Sequence, residues 1–242
     1  MITSAEEKQV DDYLILNKLP LDILLEVRDH MIAQISDLQL RENLDFEQAF
    51  FKTKIAWEPE FKMTKYALFY SEEIPLIFKK IAKAKYVNIL RKALSVALIS
   101  FIINLFFICL SSNEETFKLL FKIQNAFFIV VPIFLLISNY KIWKYTKGDF
   151  KYRGKILYST YQRNLGLVIF NISTMSQSLT TNRKGDTYLF LKEGDIDIAP
   201  FVIMLIVPFL LQTSVVFGII NFLEHKKTLN KIQNFIKVSD DS

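Results

Sequence analysis

From Ala93 to Ser112 the chain runs for twenty positions without one ionisable side chain, as ALSVALISFIINLFFICLSS. A helix rises about 1.5 Å per residue, so twenty residues cover the ~30 Å of a bilayer's hydrocarbon layer. No water is available there to bond the backbone, so the stretch must satisfy its own N–H and C=O groups, and helix is the state that does so. A chain holding such a stretch is expected to be built around membrane-crossing helices.

Three more uncharged runs follow. Ile123–Tyr140 lies between Lys122 and Lys141 and contains Pro132; Leu165–Thr181 is uncharged but rich in Asn, Ser, Thr and Gln; Ile198–Leu223 contains Pro200 and Pro208. The sequence thus predicts a four-span membrane domain over 93–223, with spans at about 93–112, 123–140, 160–181 and 198–223. The loop 111–117 carries Glu114 and Glu115 and no base, whereas 141–155 carries six Lys/Arg against Asp149 alone. Basic loops stay on the cytoplasmic side, so the acidic turn is expected outside and the basic loop inside. The basic tail 224–242 falls inside only if the polar third run is counted as a span. Tyr140, Trp143 and Tyr145 suit interfacial anchors.

The charge is divided unevenly. Residues 1–78 hold 15 acidic and 8 basic side chains, a net of −7, and residues 79–242 hold 22 basic and 10 acidic, a net of +12. Basicity confined to the membrane half speaks for orientation and lipid contact. Direct nucleic-acid binding would want that charge on the folded soluble part, which is acidic. The single cysteine, Cys109, permits neither an intrachain disulfide nor a cysteine metal cluster. MITSAEEKQVDDYL lacks a basic segment leading into an apolar core, so no signal peptide is expected and residues 1–78 are read as cytosolic.

Those residues pattern as three to four short helices. Thr3 precedes Glu6 at capping-box spacing, predicting a helix of about Ser4–Lys18 with Val10, Tyr13, Leu14 and Asn17 on one side. Pro20 opens a second, to about Leu40, with Leu21, Leu24, Leu25, Met31, Ile32, Ile35 and Leu38 as its apolar face. Asp45, with Gln48 three residues on, caps a third over Phe46–Trp57. Pro59 is expected to start a fourth, packed through Phe61, Leu68 and Phe69. Residues 79–92 hold six bases and no acid, read as a juxtamembrane helix at the headgroup layer.

Tyr13-Leu14, Leu19-Pro20, Glu26-Val27-Arg28-Asp29-His30 and Asp45-Phe46-Glu47-Gln48-Ala49-Phe50 together resemble the small alpha-helical signalling domain associated with helix-turn-helix regulators, and the similar prefix of some permeases. Glu42-Asn43 stands where that pattern has a glycine-type connection. The resemblance covers about residues 8–58. It implies a cytosolic regulatory or interaction domain on a multi-span protein, often beside a PadR-like repressor, with Glu26, Asp29 and His30 as a recognition surface.

No phosphate loop, nucleophile elbow, catalytic carboxylate pair or dinucleotide fingerprint occurs, so no enzyme, catalytic residue or cofactor is expected. Glu26 and His30 share a helix face, but a metal would need ligands that the only other histidine, His225, is badly placed to give. Arg163 reads as an arginine reaching to the headgroups. Arg163 and Asn164, with Asn171 and Ser178 at seven-residue intervals, form a candidate intramembrane polar stripe with Asn104 as a possible partner. The expectation is an all-α, multi-pass inner-membrane protein with both ends cytoplasmic. It would act as a sensor or signalling accessory through a cytosolic partner held by residues 1–78, and its small head suggests self-association. A small oligomeric channel or transporter subunit, and a membrane scaffold, are the alternatives.

Overall fold

In a computed structural model, residues 2–65, 73–141, 150–152, 155–157, 159–161, 166–180, 188, 192 and 198–240 are described. The described chain is all-α in character, with seven helices and two small two-stranded sheets. It divides into two compact units, each assembled from separated stretches. The first comprises Met1–Tyr86, Gly148–Gln162 and Lys227–Ser242, and the second Val87–Lys147 and Arg163–Lys226.

In the first unit, α1 (Ser4–Leu16) begins with a complete capping box. The Thr3 hydroxyl accepts from the Glu6 amide at 3.3 Å, and the Glu6 carboxylate accepts from the Thr3 amide at 2.7 Å. Helix α2 (Leu21–Glu42) starts behind Pro20 and ends at Asn43, whose φ of 51° is left-handed. Asparagine tolerates that region better than other side chains, so it serves where glycine would otherwise stand. The Asp45 side chain accepts from the Gln48 amide at 2.8 Å and opens α3 (Phe46–Phe61).

Helix α2 packs against both α1 and α3, so it buries a wider arc than one apolar stripe. Ile23 and Val27 are buried with Leu21, Leu24, Met31 and Ile35. Tyr13 meets Phe50 and Phe61 edge-on at 5.9 and 5.7 Å.

Pro59 does not start a fourth helix: α3 continues through it to Phe61. The proline lies in the last turn and costs one backbone bond there, while Phe61 is buried and stacked on Trp57 at 6.0 Å. The chain then forms β1 (Met63–Lys65), paired antiparallel with β2 (Glu73–Pro75); Leu68 and Phe69 lie outside the described residues. A second antiparallel pair joins β3 (Phe150–Tyr152) to β4 (Lys155–Leu157).

The expected juxtamembrane helix is not separate. Helix α4 runs unbroken from Leu76 to Leu110, about 52 Å at 1.5 Å per residue. No Pro or Gly interrupts it, so nothing in the sequence stops one helix from absorbing the next.

The second unit holds the rest of α4 with α5 (Glu114–Ser138), α6 (Gly166–Thr180) and most of α7 (Ile198–Asp240). Asn113 caps α5, accepting from the Thr116 amide at 2.8 Å. Ala93, Phe128, Met175, Val215 and Val216 form its main buried cluster. Its outside is as apolar as its inside: Phe106, Phe127, Phe134 and Ile137 are all exposed. Such a surface is costly in water and natural in lipid.

Among the described residues three helices, not four, are long and apolar enough to cross a membrane: Leu76–Leu110, Glu114–Ser138 and Leu205–Gln233 within α7. The third expected span, at about 160–181, is the exception. Helix α6 has 15 residues, about 22 Å of rise against ~30 Å of hydrocarbon. The tail continues the last span without a break, as α7 extends to Asp240 with Leu229 and Ile232 buried.

Candidate functional site

The polar features of the first unit converge on α2. Asp22 sits in its first turn, between Leu21 and Ile23, which are both wholly buried. Its side chain is only 6% exposed. A carboxylate taken so far out of water needs donors; one oxygen has two, while the other, among the described residues, has only a nearby cation. Oδ1 accepts the Thr160 backbone N–H at 2.8 Å and the Thr160 hydroxyl at 3.0 Å. Oδ2 lies 3.6 Å from the Lys85 ammonium, which also stands 3.6 Å from Glu26 and 5.8 Å from the centre of the Tyr161 ring. The Tyr86 hydroxyl donates to the Thr160 carbonyl at 2.8 Å. Ser159, Thr160, Tyr161 and Tyr86 are all buried. One carboxylate of the N-terminal helices thus holds a loop residue 138 positions away and a lysine from the first turns of α4.

A second node lies two turns along. The Arg28 guanidinium bonds Asp11 and Glu7, both at 2.7 Å, tying α2 to α1. It also sits 5.4 Å from the centre of the Phe235 ring, in the last turns of α7. Burial works against the arginine's charge, but Asp11 and Glu7 outweigh it and hold its pKa above the ordinary value. Asp11 is itself buried. Planar guanidinium suits this place because it can bond two carboxylates and still offer its face to a ring.

Glu26, Asp29 and His30 all stand on the same helix. Glu26 is half exposed and turned to Lys85. Asp29 is 79% exposed, with an oxygen 3.7 Å from Arg28, and His30 is exposed. They form an outward strip beside the two nodes rather than a pocket. Sequence reasoning noted Arg28 only as part of the charged cluster, and missed Asp22, Lys85, Thr160 and Phe235 as site residues. One signal was available: Asp22, Glu26 and Asp29 are spaced four and three apart, so the charged strip begins a turn earlier, among leucines.

Of the candidate polar stripe, Arg163 and Asn164 lie outside the described residues, and Ser178 is described only as part of α6. Asn171 is buried. Its amide donates to the Ser214 carbonyl at 2.8 Å, and its oxygen accepts from the Ser214 hydroxyl at 2.9 Å. The partner is therefore Ser214 on α7, not Asn104. Gln212 donates to Asn125 at 3.1 Å, and Gln124 donates to the Ser100 carbonyl and hydroxyl at 2.7 and 2.6 Å. Asn104 Oδ1 is buried and has no hydrogen-bond partner among the described residues, beside a void of about 10 Å³ that Gln212 also lines. These polar side chains are spent largely on one another, which suits interhelical adhesion in lipid.

Among the described residues, no three of His, Cys, Asp and Glu come together as metal ligands. No protein-family model matches the chain, and no curated protein or solved structure does either.

Proposed function

We propose that the protein is a multi-pass membrane sensor or signalling accessory of the inner membrane, with its N-terminal helices, basic loop and tail in the cytoplasm. The observation that carries this reading is the double node on α2. Asp22 binds the loop that follows α5, and Arg28 meets the tail that follows the last span. Helices α1–α3 are thereby bonded to segments leaving two membrane helices, and a shift in either would bear on α2.

The same contacts support four crossings. The head, residues 148–162 and the tail belong to one compact unit, which favours a reading with all three on one side of the bilayer. Helices α4 and α5 take the chain across and back. On this reading α7 crosses once between the loop and the tail, and the segment that contains α6 makes the return. A 15-residue helix can contribute most of a crossing where it is packed against α5 and bonded to α7. The charge bias of the loops agrees.

The outward strip of Glu26, Asp29 and His30 is where a cytosolic partner, such as a PadR-like regulator, would bind. The mutual bonding of Asn125, Asn171, Gln212 and Ser214 favours this reading over a channel, whose lining would be free to face water.

The test is made on the full chain in nanodiscs. Hydrogen exchange is followed at residues 20–30 and 159–161 while bilayer thickness is changed. A sensor predicts that exchange at both segments shifts together, and that Asp22→Asn breaks the correlation. Rates that ignore the bilayer would end the sensing proposal. Reporter fusions at the two ends should fall on the same side; opposite sides would end the four-crossing topology.

A further inference from the structure

On the second unit, Val87, Leu90, Leu94 and Leu98 form one exposed face of α4, at helical spacing. They line an open trough of about 430 Å³, with Arg91 near one end and Phe209 of α7 as its far wall. At Leu98 and Phe209 it meets a second, of about 330 Å³, lined by Phe101, Val202, Leu205 and Ile206 without any polar surface. Each lies within the usual range of ligand pockets, about 300–1,000 Å³. From Val87 to Phe101 the helix rises about 21 Å, so the two troughs make one elongated apolar channel along the span.

The charge lies at one end only. Arg91 and Lys92 directly precede the uncharged stretch, and no acid occurs between Lys79 and Lys92. Arg91 makes no ion pair among the described residues. The Ser95 hydroxyl, the other polar group on this face, is spent on the Arg91 carbonyl at 3.0 Å. A cation at the headgroup level beside a largely apolar furrow is complementary to one class of molecule.

We propose that this channel seats one anionic phospholipid, its phosphate on the Arg91 guanidinium and an acyl chain laid along Leu94, Leu98 and Phe209. Guanidinium is the natural partner, because its fork matches two phosphate oxygens at once. The proposal rests on the reading of α4 and α7 as membrane-crossing, and it adds a specific lipid to a generic bilayer.

The full-length protein is purified in mild detergent and titrated with phosphatidylglycerol or with phosphatidylcholine of the same acyl chains, followed by native mass spectrometry. The wild type should hold one phosphatidylglycerol per chain, about five- to tenfold more tightly than phosphatidylcholine. Arg91→Gln should remove that preference and Arg91→Lys should keep part of it. Leu98→Trp, which fills the trough, should lower affinity for both lipids, while Lys122→Gln should change nothing. Circular dichroism confirms that each variant keeps its helix content. Equal affinity for the two lipids, or wild-type binding by Arg91→Gln or Leu98→Trp, would overturn the site. Release of the wild type from membranes by carbonate would instead remove the membrane reading beneath it, so the two failures are distinguishable.

Discussion

Replacing Asp22 with alanine is the sharpest perturbation available. It removes the acceptor of two Thr160 hydrogen bonds and the counter-charge 3.6 Å from Lys85. Hydrogen bonds to a charged group are worth about 1.5–3 kcal/mol each, and breaking a buried pair about 3–5. The Lys85 side chain is 27% exposed, so water compensates part of its loss and the lower end, about 3 kcal/mol, is the better figure. At 1.4 kcal/mol per tenfold, the population of states with residue 160 detached should rise about a hundredfold. The Thr160 amide is itself one of the bonded donors, so hydrogen exchange reads the event directly. In full-length protein, exchange at Ser159–Tyr161 should accelerate by about two orders of magnitude in Asp22→Ala. It should accelerate less in Asp22→Asn, which keeps an acceptor but loses the charge. Amides of α3 should be unaffected. Wild-type exchange at Thr160 in Asp22→Ala would mean that the carboxylate does not hold this loop, and the coupling argument would fail with it.

Arg28→Lys keeps the charge but loses the fork and the flat face on Phe235, and should cost about 1–3 kcal/mol in urea unfolding of the first unit. Gln212→Leu leaves the Asn125 oxygen without its donor inside the bilayer, and should lower stability in mixed micelles by about 0.6–1.7 kcal/mol. Thr3→Ala removes the cap of α1 and should cost about 1 kcal/mol, read as faster exchange in its first turn. The bonds from the Thr3 backbone and then its hydroxyl hold the Glu6 carboxyl below its ordinary 4.5. The carboxylate's share of the cap is therefore present above pH 4.5 and is lost as pH falls through the lower folded value, while the Thr3 hydroxyl's bond to the Glu6 amide stays, which exchange measured at stepped acid pH would show.

What the sequence made legible was local. The Thr3–Glu6 box and the Asp45 cap are three-residue signals, and both form as spaced. Ala93–Ser112 announces its state because lipid leaves the backbone no alternative. The left-handed Asn43 could be anticipated from its place in a connection where glycine is usual. Boundaries were harder. Pro59 reads as a helix start, since the pattern cannot weigh one lost bond against the burial of Phe61. Residues 79–92 look distinct by charge, although backbone geometry takes no account of charge and α4 runs straight through. Leu165–Thr181 is long enough as an uncharged run to suggest a span, but its described helix of 15 residues stops about one and a half turns short of one.

The candidate site was legible by half. Glu26, Asp29 and His30 were visible as a charged strip, whereas Asp22 was hidden among leucines. The partners of Asp22 and Arg28 were invisible, because nothing in a linear pattern pairs position 22 with 160 or position 28 with 235. Asn171 stood out as a polar group in an apolar run. Its partner was misjudged because two helices can meet at many registers, and spacing within one does not choose among them.

The Arg28–Phe235 contact has a consequence for how the molecule is made. Residue 235 is translated more than two hundred positions after the arginine it meets, and the intervening chain must be threaded into lipid first. The first unit therefore remains unfinished throughout synthesis, with Asp11, Glu7 and Arg28 paired but one side of the guanidinium bare. A fragment stopping at residue 78 would preserve that nascent condition permanently, lacking Lys85, Thr160 and the closing aromatic. Such fragments would bind chaperones or each other for reasons unrelated to the native protein.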